Sequence, residues 1–332
     1  MELKREVLTS EILDPRNEYR PTPSEVEVRW DPLLGYSARL VRGGGHLLPP
    51  SDFDLEAFGR QTRESCFFCP PRLEAMTPKF PAELVPDGRI RCGEAVLFPN
   101  IQAYALYSSV SVYSPDLHYL PLDRATAPVV RDNLLAQLDF VRRMTRHDPR
   151  ATWVSINANH MLPSGSSLFH PHMQGAVDPH PTTVQELLSR VPAERFHDYL
   201  ETERRLGERY LGSLGGVEWL AGFAPFGFNE LRALVPGVRS PEQLDDERAA
   251  ALAEGIARAL GLYAEMGYQS FNLALQGAPV EGHVLSVRLV CRSNLQPLYR
   301  SDVAYFERMH WQAMVDGTPE ELAERAGDRF RG

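Results

Sequence analysis

The chain has 332 residues, 43% hydrophobic and 24% charged, with a net charge of −9. This is a globular composition for one large domain or two smaller ones, and its scattered Lys and Arg offer no basic face for a nucleic-acid partner. No apolar run reaches the roughly 18 residues of a membrane span, and the charged opening Met1–Glu6 is no signal sequence. No membrane partner and a cytoplasmic location are therefore expected.

In chain order, the first fifty residues are rich in Pro, Gly and Arg, with Gly43-Gly44-Gly45 and Pro49-Pro50, and read mostly as loop. Apolar–polar alternation predicts strands at 109–113, 151–156 and 284–291, with a fourth at 268–276. Between the first two, Val130, Leu134, Leu138 and Val141 recur at helical spacing, so residues 128–146 read as a helix. A helical region covers 183–213, broken at Pro192. Ser240, Pro241 and Gln243 carry the start signals of a further helix, and Thr318, Pro319 and Glu321 those of the last. There is no repeat of 20 to 50 residues and no low-complexity tract. Strands and helices mix without regular β–α alternation, which favours an α+β fold with antiparallel sheet. Asp178-Pro179-His180-Pro181 interrupts the pattern and divides the chain into 1–182 and 183–332.

Two segments carry chemistry. Cys66-Phe67-Phe68-Cys69 puts two thiolates within reach of one tetrahedral metal ion. The spacing also fits a redox pair or two unrelated buried cysteines, although Pro70-Pro71 follows at once and no βαβ context surrounds it. No second C-x-x-C exists, so further ligands would come from the ten histidines. Cys92 and Cys291 stand alone.

The second segment is Asn157-Ala158-Asn159-His160, then Gly165-Ser166-Ser167-Leu168-Phe169-His170-Pro171-His172-Met173-Gln174. It follows a predicted strand, where ligand sites are often built. On extended backbone His170 and His172 share a face, and Gln174 lies on the same side. A neutral imidazole attacks phosphorus well and leaves readily once protonated, while the Ser hydroxyls and Gln174 could donate to phosphate oxygens. Taken alone, the H-x-H also fits a metal pair or a surface feature.

Together these residues resemble galactose-1-phosphate uridylyltransferase and its histidine-triad relatives, which carry C-x-x-C, then S-P-x-H, then a Ser-rich turn into H-P-H-x-Q. The middle element is Ser114-Pro115-Asp116-Leu117-His118, one residue longer than the family's. Arg29-Trp30-Asp31-Pro32-Leu33-Leu34-Gly35 is similar to R-x-(D/N)-P-L-T-G, and Pro50-Ser51-Asp52-Phe53 to the R-P-S-D after it. Phe98-Pro99-Asn100 resembles the nucleotide-contacting F-x-N, and residues 318–325 resemble the closing helix.

The resemblance implies two histidine-triad-like domains, 1–182 and 183–332, built from antiparallel half-barrel sheets with flanking helices and paired as a homodimer. It implies Zn2+ on Cys66, Cys69, His118 and His170, with His172 as the nucleophile and Gln174 beside it. Asn100, Asn159, Ser166, Ser167 and Arg29 would bind nucleotide and phosphates. The implied activity is nucleotidyl transfer between a nucleotide sugar and a sugar 1-phosphate through nucleotidyl-His172. Phosphorolysis or hydrolysis by the same histidine, or nucleotide binding without catalysis, are the rival readings.

Three departures from the family stand out. The strand at His283–Arg288 lacks the H-x-H of the family's second metal site, so no second metal is expected. In the hexose-binding segment, Asp302 replaces Lys and Arg308 replaces the sugar-binding Glu, which makes galactose a doubtful substrate. Gly175 stands where the family has a bulky residue.

Overall fold

The computed structural model describes residues 1–41, 48, 50–298 and 301–332; Gly43-Gly44-Gly45 and Pro49 lie outside the described residues. The opening segment is not the loop its prolines suggest. Arg5–Asp14 (β1) pairs antiparallel with Arg20–Trp30 (β2), and Ser37–Val41 (β3) pairs with the end of β2 only, from Val26 to Trp30. Among the described residues, Pro21 and Pro23 fall where β1 is the one strand beside β2, so a missing N–H need not break a ladder.

Leu55–Arg63 (α1) and Arg72–Met76 (α2) bracket the C-x-x-C. Then come Ile90–Cys92 (β4), Ala95–Pro99 (β5), Tyr107–Val112 (β6), Ala127–His147 (α3), Trp153–His160 (β7) and His172–Asp178 (β8). Thr183–Ser189 (α4) and Ala193–Leu206 (α5) lead into Tyr210–Leu214 (β9), Val217–Ala221 (β10), Phe228–Val235 (β11), Asp246–Glu265 (α6), Ser270–Gln276 (β12) and Leu285–Arg292 (β13). Tyr305–His310 (α7), Ala313–Val315 (β14) and Pro319–Ala326 (α8) close the chain.

Strands β4 to β13 form one antiparallel sheet in the order β4-β5-β6-β8-β7-β12-β13-β11-β10-β9. Each half supplies three strands, a long helix and two strands, so the architecture repeats where the sequence does not. The halves meet at β7 and β12, with Asn159 opposite Asn272. A smaller sheet, β1-β2-β3-β14, is antiparallel except for the parallel pair β3–β14. The α+β class with flanking helices is thus observed.

The core explains this layering. Helix α3 buries Val130, Leu134, Leu138 and Val141, the residues whose spacing predicts it, and packs on α6 and on the sheet. Alternate residues of the central strands point to the other face, where Asn157, Asn159, Gln174 and Asn272 stay partly exposed.

Two boundaries differ from expectation. Pro241–Gln243 makes a single 3-10 turn, and α6 starts later, capped by Asp245, whose carboxylate accepts the Arg248 N–H at 2.8 Å. The region read as helix to residue 213 stops at Leu206, where Gly207 takes φ +68° and β9 follows. The capping box at Thr318 and Glu321 forms as read.

Asp31, of the W-D-P-L-L-G motif, is a structural residue. It accepts the Leu33 and Leu34 N–H groups, and its other oxygen meets buried Arg232 at 2.8 Å.

Candidate active site and metal centre

The three separated sequence elements converge. The ligand atoms of Cys66, Cys69, His118 and His170 all lie within 4.8 Å of one another, and all four residues are buried. Cys69 Sγ is 3.3 Å from His118 Nδ1 and 3.4 Å from His170 Nδ1; Cys66 Sγ is 3.7 Å from His170 Nδ1.

Outer partners fix both tautomers. His170 Nε2–H donates to the Ser114 carbonyl at 3.0 Å. Thr62 Oγ1 donates to the Phe58 carbonyl and so accepts from His118 Nε2–H at 3.0 Å. Both Nδ1 lone pairs therefore face the sulfurs. Oriented imidazoles and paired thiols are a donor set for a divalent metal, with four ligands and no open position. Burial and the neighbouring Cys66 push the Cys69 thiol up to about 12, and burial takes His170 down to about 3. A bound cation reverses the first effect and suits the second.

His172 has the opposite tautomer. Its Nδ1–H donates to the His170 carbonyl at 2.9 Å, which leaves Nε2 as a lone pair. Burial holds this imidazole below its ordinary range and hence neutral at neutral pH. The metal cluster and the nucleophile candidate are thus joined through one backbone carbonyl.

Gln174 continues the same strand face and pairs across the ladder with Asn157. Gln174, Asn157, Asn159, Asn100 and Ser108 line a cleft of about 490 Å³. His172 is 8% exposed and lies inward of Gln174, outside that lining. A second cleft, of about 550 Å³, shares Asn157 and Asn159 and runs onto the other half, past Asn272, Phe228, Arg292 and Asp302.

The remaining expected residues divide. Ser167 is exposed on the turn before His170. The Ser166 hydroxyl is engaged within the turn, donating to the Leu168 carbonyl at 2.6 Å. Arg29 is elsewhere. Its buried guanidinium meets Glu27 at 2.9 Å and Glu320 at 2.8 Å, pinning β2 to the closing helix instead of reaching a phosphate. Glu27 and Arg29 share one face of a strand, a period-two signal present in the sequence.

Two departures find physical reasons. The Asp302 side chain is 3% exposed and pairs with Arg292, whereas Arg308 is exposed on α7. A side chain at Gly175 would strike Gln137 and Ser109 beneath the sheet, at 2.3 and 2.7 Å from its Cβ. Sequence reasoning missed Asn157, which alternation from Asn159 could have found, and Asn272, whose partner lies across the seam.

His160 offers a pH test. Burial takes this imidazole down to about 4 from an ordinary value near 6.5. The unfolded chain then binds the extra proton between these values, so stability rises with pH across that window and is lost on acidification from about 6.5 to about 4. The loss amounts to about 3 kcal/mol. Urea unfolding at pH 7 and pH 5 should show a steeper fall for the wild type than for His160→Phe; parallel falls would remove His160 as the cause.

No family model matches the chain. An uncharacterized protein of Archaeoglobus fulgidus is 30% identical over 334 residues, covering 98% of this chain and 97% of that protein. Among solved structures, an ADP-glucose phosphorylase from Arabidopsis thaliana with bound ADP-glucose superposes with a TM-score of 0.67 at 17% identity. It covers 91% of this chain and 98% of that one. A uridylyltransferase structure gives 0.58 at 20% identity, with the same coverage.

Proposed function

The chain belongs to the same family as the Archaeoglobus fulgidus protein and has the fold of ADP-glucose phosphorylase and galactose-1-phosphate uridylyltransferase-like proteins, and on that premise we propose that it is a nucleotidyl-transferring enzyme working through His172. His172 Nε2 attacks the α-phosphorus of a nucleotide sugar. The bond to the bridging oxygen breaks, and a sugar 1-phosphate departs with the electron pair. A phosphate oxygen of a second sugar 1-phosphate then attacks the nucleotidyl-histidine, and the imidazole is released. Gln174 and Asn159 donate to the phosphoryl oxygens as charge builds there. Asn100 seats the nucleoside. Cys66, Cys69, His118 and His170 would hold Zn2+, which steadies the turn carrying His172.

The observation that carries this reading is the pair of opposed tautomers: Nδ1 of His170 turned to the thiols, Nδ1–H of His172 turned to the carbonyl between them. A second acceptor is kept open by one finding: Asp302 stands in place of the family's Lys and is engaged by Arg292 within the second cleft, so the family's hexose contacts are not reproduced there and inorganic phosphate is tested beside the sugar 1-phosphates.

The test is intact mass after incubation with a panel of nucleotide sugars. A gain of one nucleoside monophosphate supports the reading and identifies the base. Offering phosphate and sugar 1-phosphates to the adduct then separates phosphorylase from transferase. No adduct with any nucleotide sugar would overturn the proposal.

A further inference from the structure

We propose that Asn272, in the half of the chain that carries no nucleophile, is a positioning residue that fixes the amide of Asn159 with its N–H2 group toward the cleft. The inference rests on the nucleotidyl-transfer reading above and adds a role for the second half.

The orientation follows from a residue that can only donate. Arg292 is held by Asp302, with Nε 2.9 Å from one carboxylate oxygen, and that oxygen also accepts the Ser293 N–H at 2.8 Å. Arg292 Nη1 lies 2.6 Å from the side-chain oxygen of Asn272. A guanidinium has no acceptor, so Asn272 must turn Oδ1 toward it and its N–H2 away. That N–H2 donates to Asn159 Oδ1 at 2.7 Å and to the Ser164 carbonyl at 3.0 Å. With its oxygen claimed, Asn159 presents Nδ2 on its other side. Gly165 opens the turn into Ser166-Ser167, and a Cβ built on it would lie 4.0 Å from that Nδ2, the nearest atom among the described residues apart from its chain neighbours.

A flipped Asn159 would aim a carbonyl oxygen at phosphoryl oxygens, which repels them. Asn272 prevents the flip and, through Ser164, also anchors the turn that delivers the Ser-rich segment. Asp302, which stands where the resembling family has Lys, is the far end of this chain of hydrogen bonds.

The experiment compares wild type, Asn272→Ala, Asn272→Asp, Asn159→Ala and the double alanine variant. It reads the single-turnover rate of adduct formation at saturating ADP-glucose or UDP-glucose, with melting temperature as control. Asn272→Ala is expected to slow adduct formation about tenfold, and Asn272→Asp about a hundredfold although it is nearly isosteric. The carboxylate would draw the Asn159 N–H2 to itself and turn the oxygen into the cleft. The double variant should be no slower than Asn159→Ala, because Asn272 acts through Asn159.

Multiplying effects in the double variant, or an Asn272→Asp faster than Asn272→Ala, would overturn the proposal. If the wild type forms no adduct, nucleotidyl transfer fails as a reading, and AMP affinity by calorimetry decides this inference with the same variants. The same order of effects supports it; additive losses, no losses or no AMP binding overturn it.

Discussion

His172→Asn is expected to abolish the covalent adduct and to lower turnover by at least about a thousandfold, the scale on which removal of a nucleophile is felt. The substitution is chosen because the Asn amide can still donate to the His170 carbonyl, as Nδ1–H does in the wild type. Backbone and metal cluster should then stay in place, and only the nucleophilic nitrogen is lost. Metal content should be unchanged. The wild-type pH profile carries a second signature. Because burial lowers the His172 pKa, adduct formation should persist below the ordinary imidazole value of about 6.5 before the ring protonates. Measuring adduct by intact mass from pH 5 to 8 checks both. An adduct that survives in His172→Asn moves the nucleophile to another residue, and a rate that falls away already above pH 6.5 contradicts a desolvated neutral ring.

The site was more legible than the scaffold that holds it, for a physical reason. Ligands and nucleophiles are constrained by residue type, so C-x-x-C, His118 and H-P-H-x-Q can be matched to a known chemistry, and the four metal-binding candidates do converge. Long amphipathic elements such as α3 announce themselves through their buried stripe. The ribbon β1–β2 does not. Nine of the ten residues of β1 are exposed, as are five of the first six of β2, so no apolar alternation marks this stretch, and Pro21 and Pro23 argue for loop until their pairing with β1 is known. Strands β9 to β11 were missed because β9 falls in the run read as helix to residue 213, while β10 and β11 carry Glu218, Glu230 and Arg232, charges that are buried in ion pairs and break the apolar pattern a strand would show. Arg29 shows the limit of motif transfer. The motif marks the segment correctly, but the role of its arginine depends on Glu27 and Glu320, the latter almost three hundred residues away in sequence. Asn272 is the same problem in reverse: its chemistry is ordinary, and only the meeting of two half-sheets places it beside Asn159.

Removing the metal by chelation, or by Cys69→Ser, is expected to lower stability and stop nucleotidylation together. Without a cation the four buried ligand atoms within 4.8 Å are held only by weak contacts from thiol S–H donors to the two imidazole lone pairs, which a metal ion would replace with stronger bonds. Structural zinc in small domains contributes about 10–16 kcal/mol at neutral pH. Loss of even a third of the lower figure, about 3 kcal/mol, would lower the melting temperature of a chain of this length by roughly 4–5 °C. The Cys69 thiol, held up at about 12 in the absence of an ion, must lose its proton to bind one, so metal affinity should weaken as pH falls. Catalysis follows because the His170 backbone carbonyl is what holds the His172 tautomer: a slack His170 frees Nδ1 of His172 and lets Nε2 turn away from phosphorus. Calorimetry with metal analysis on the chelated protein, beside the adduct assay, separates the two effects. A protein stripped of its ion that melts unchanged and still labels would mean that the cluster neither braces the fold nor positions the nucleophile.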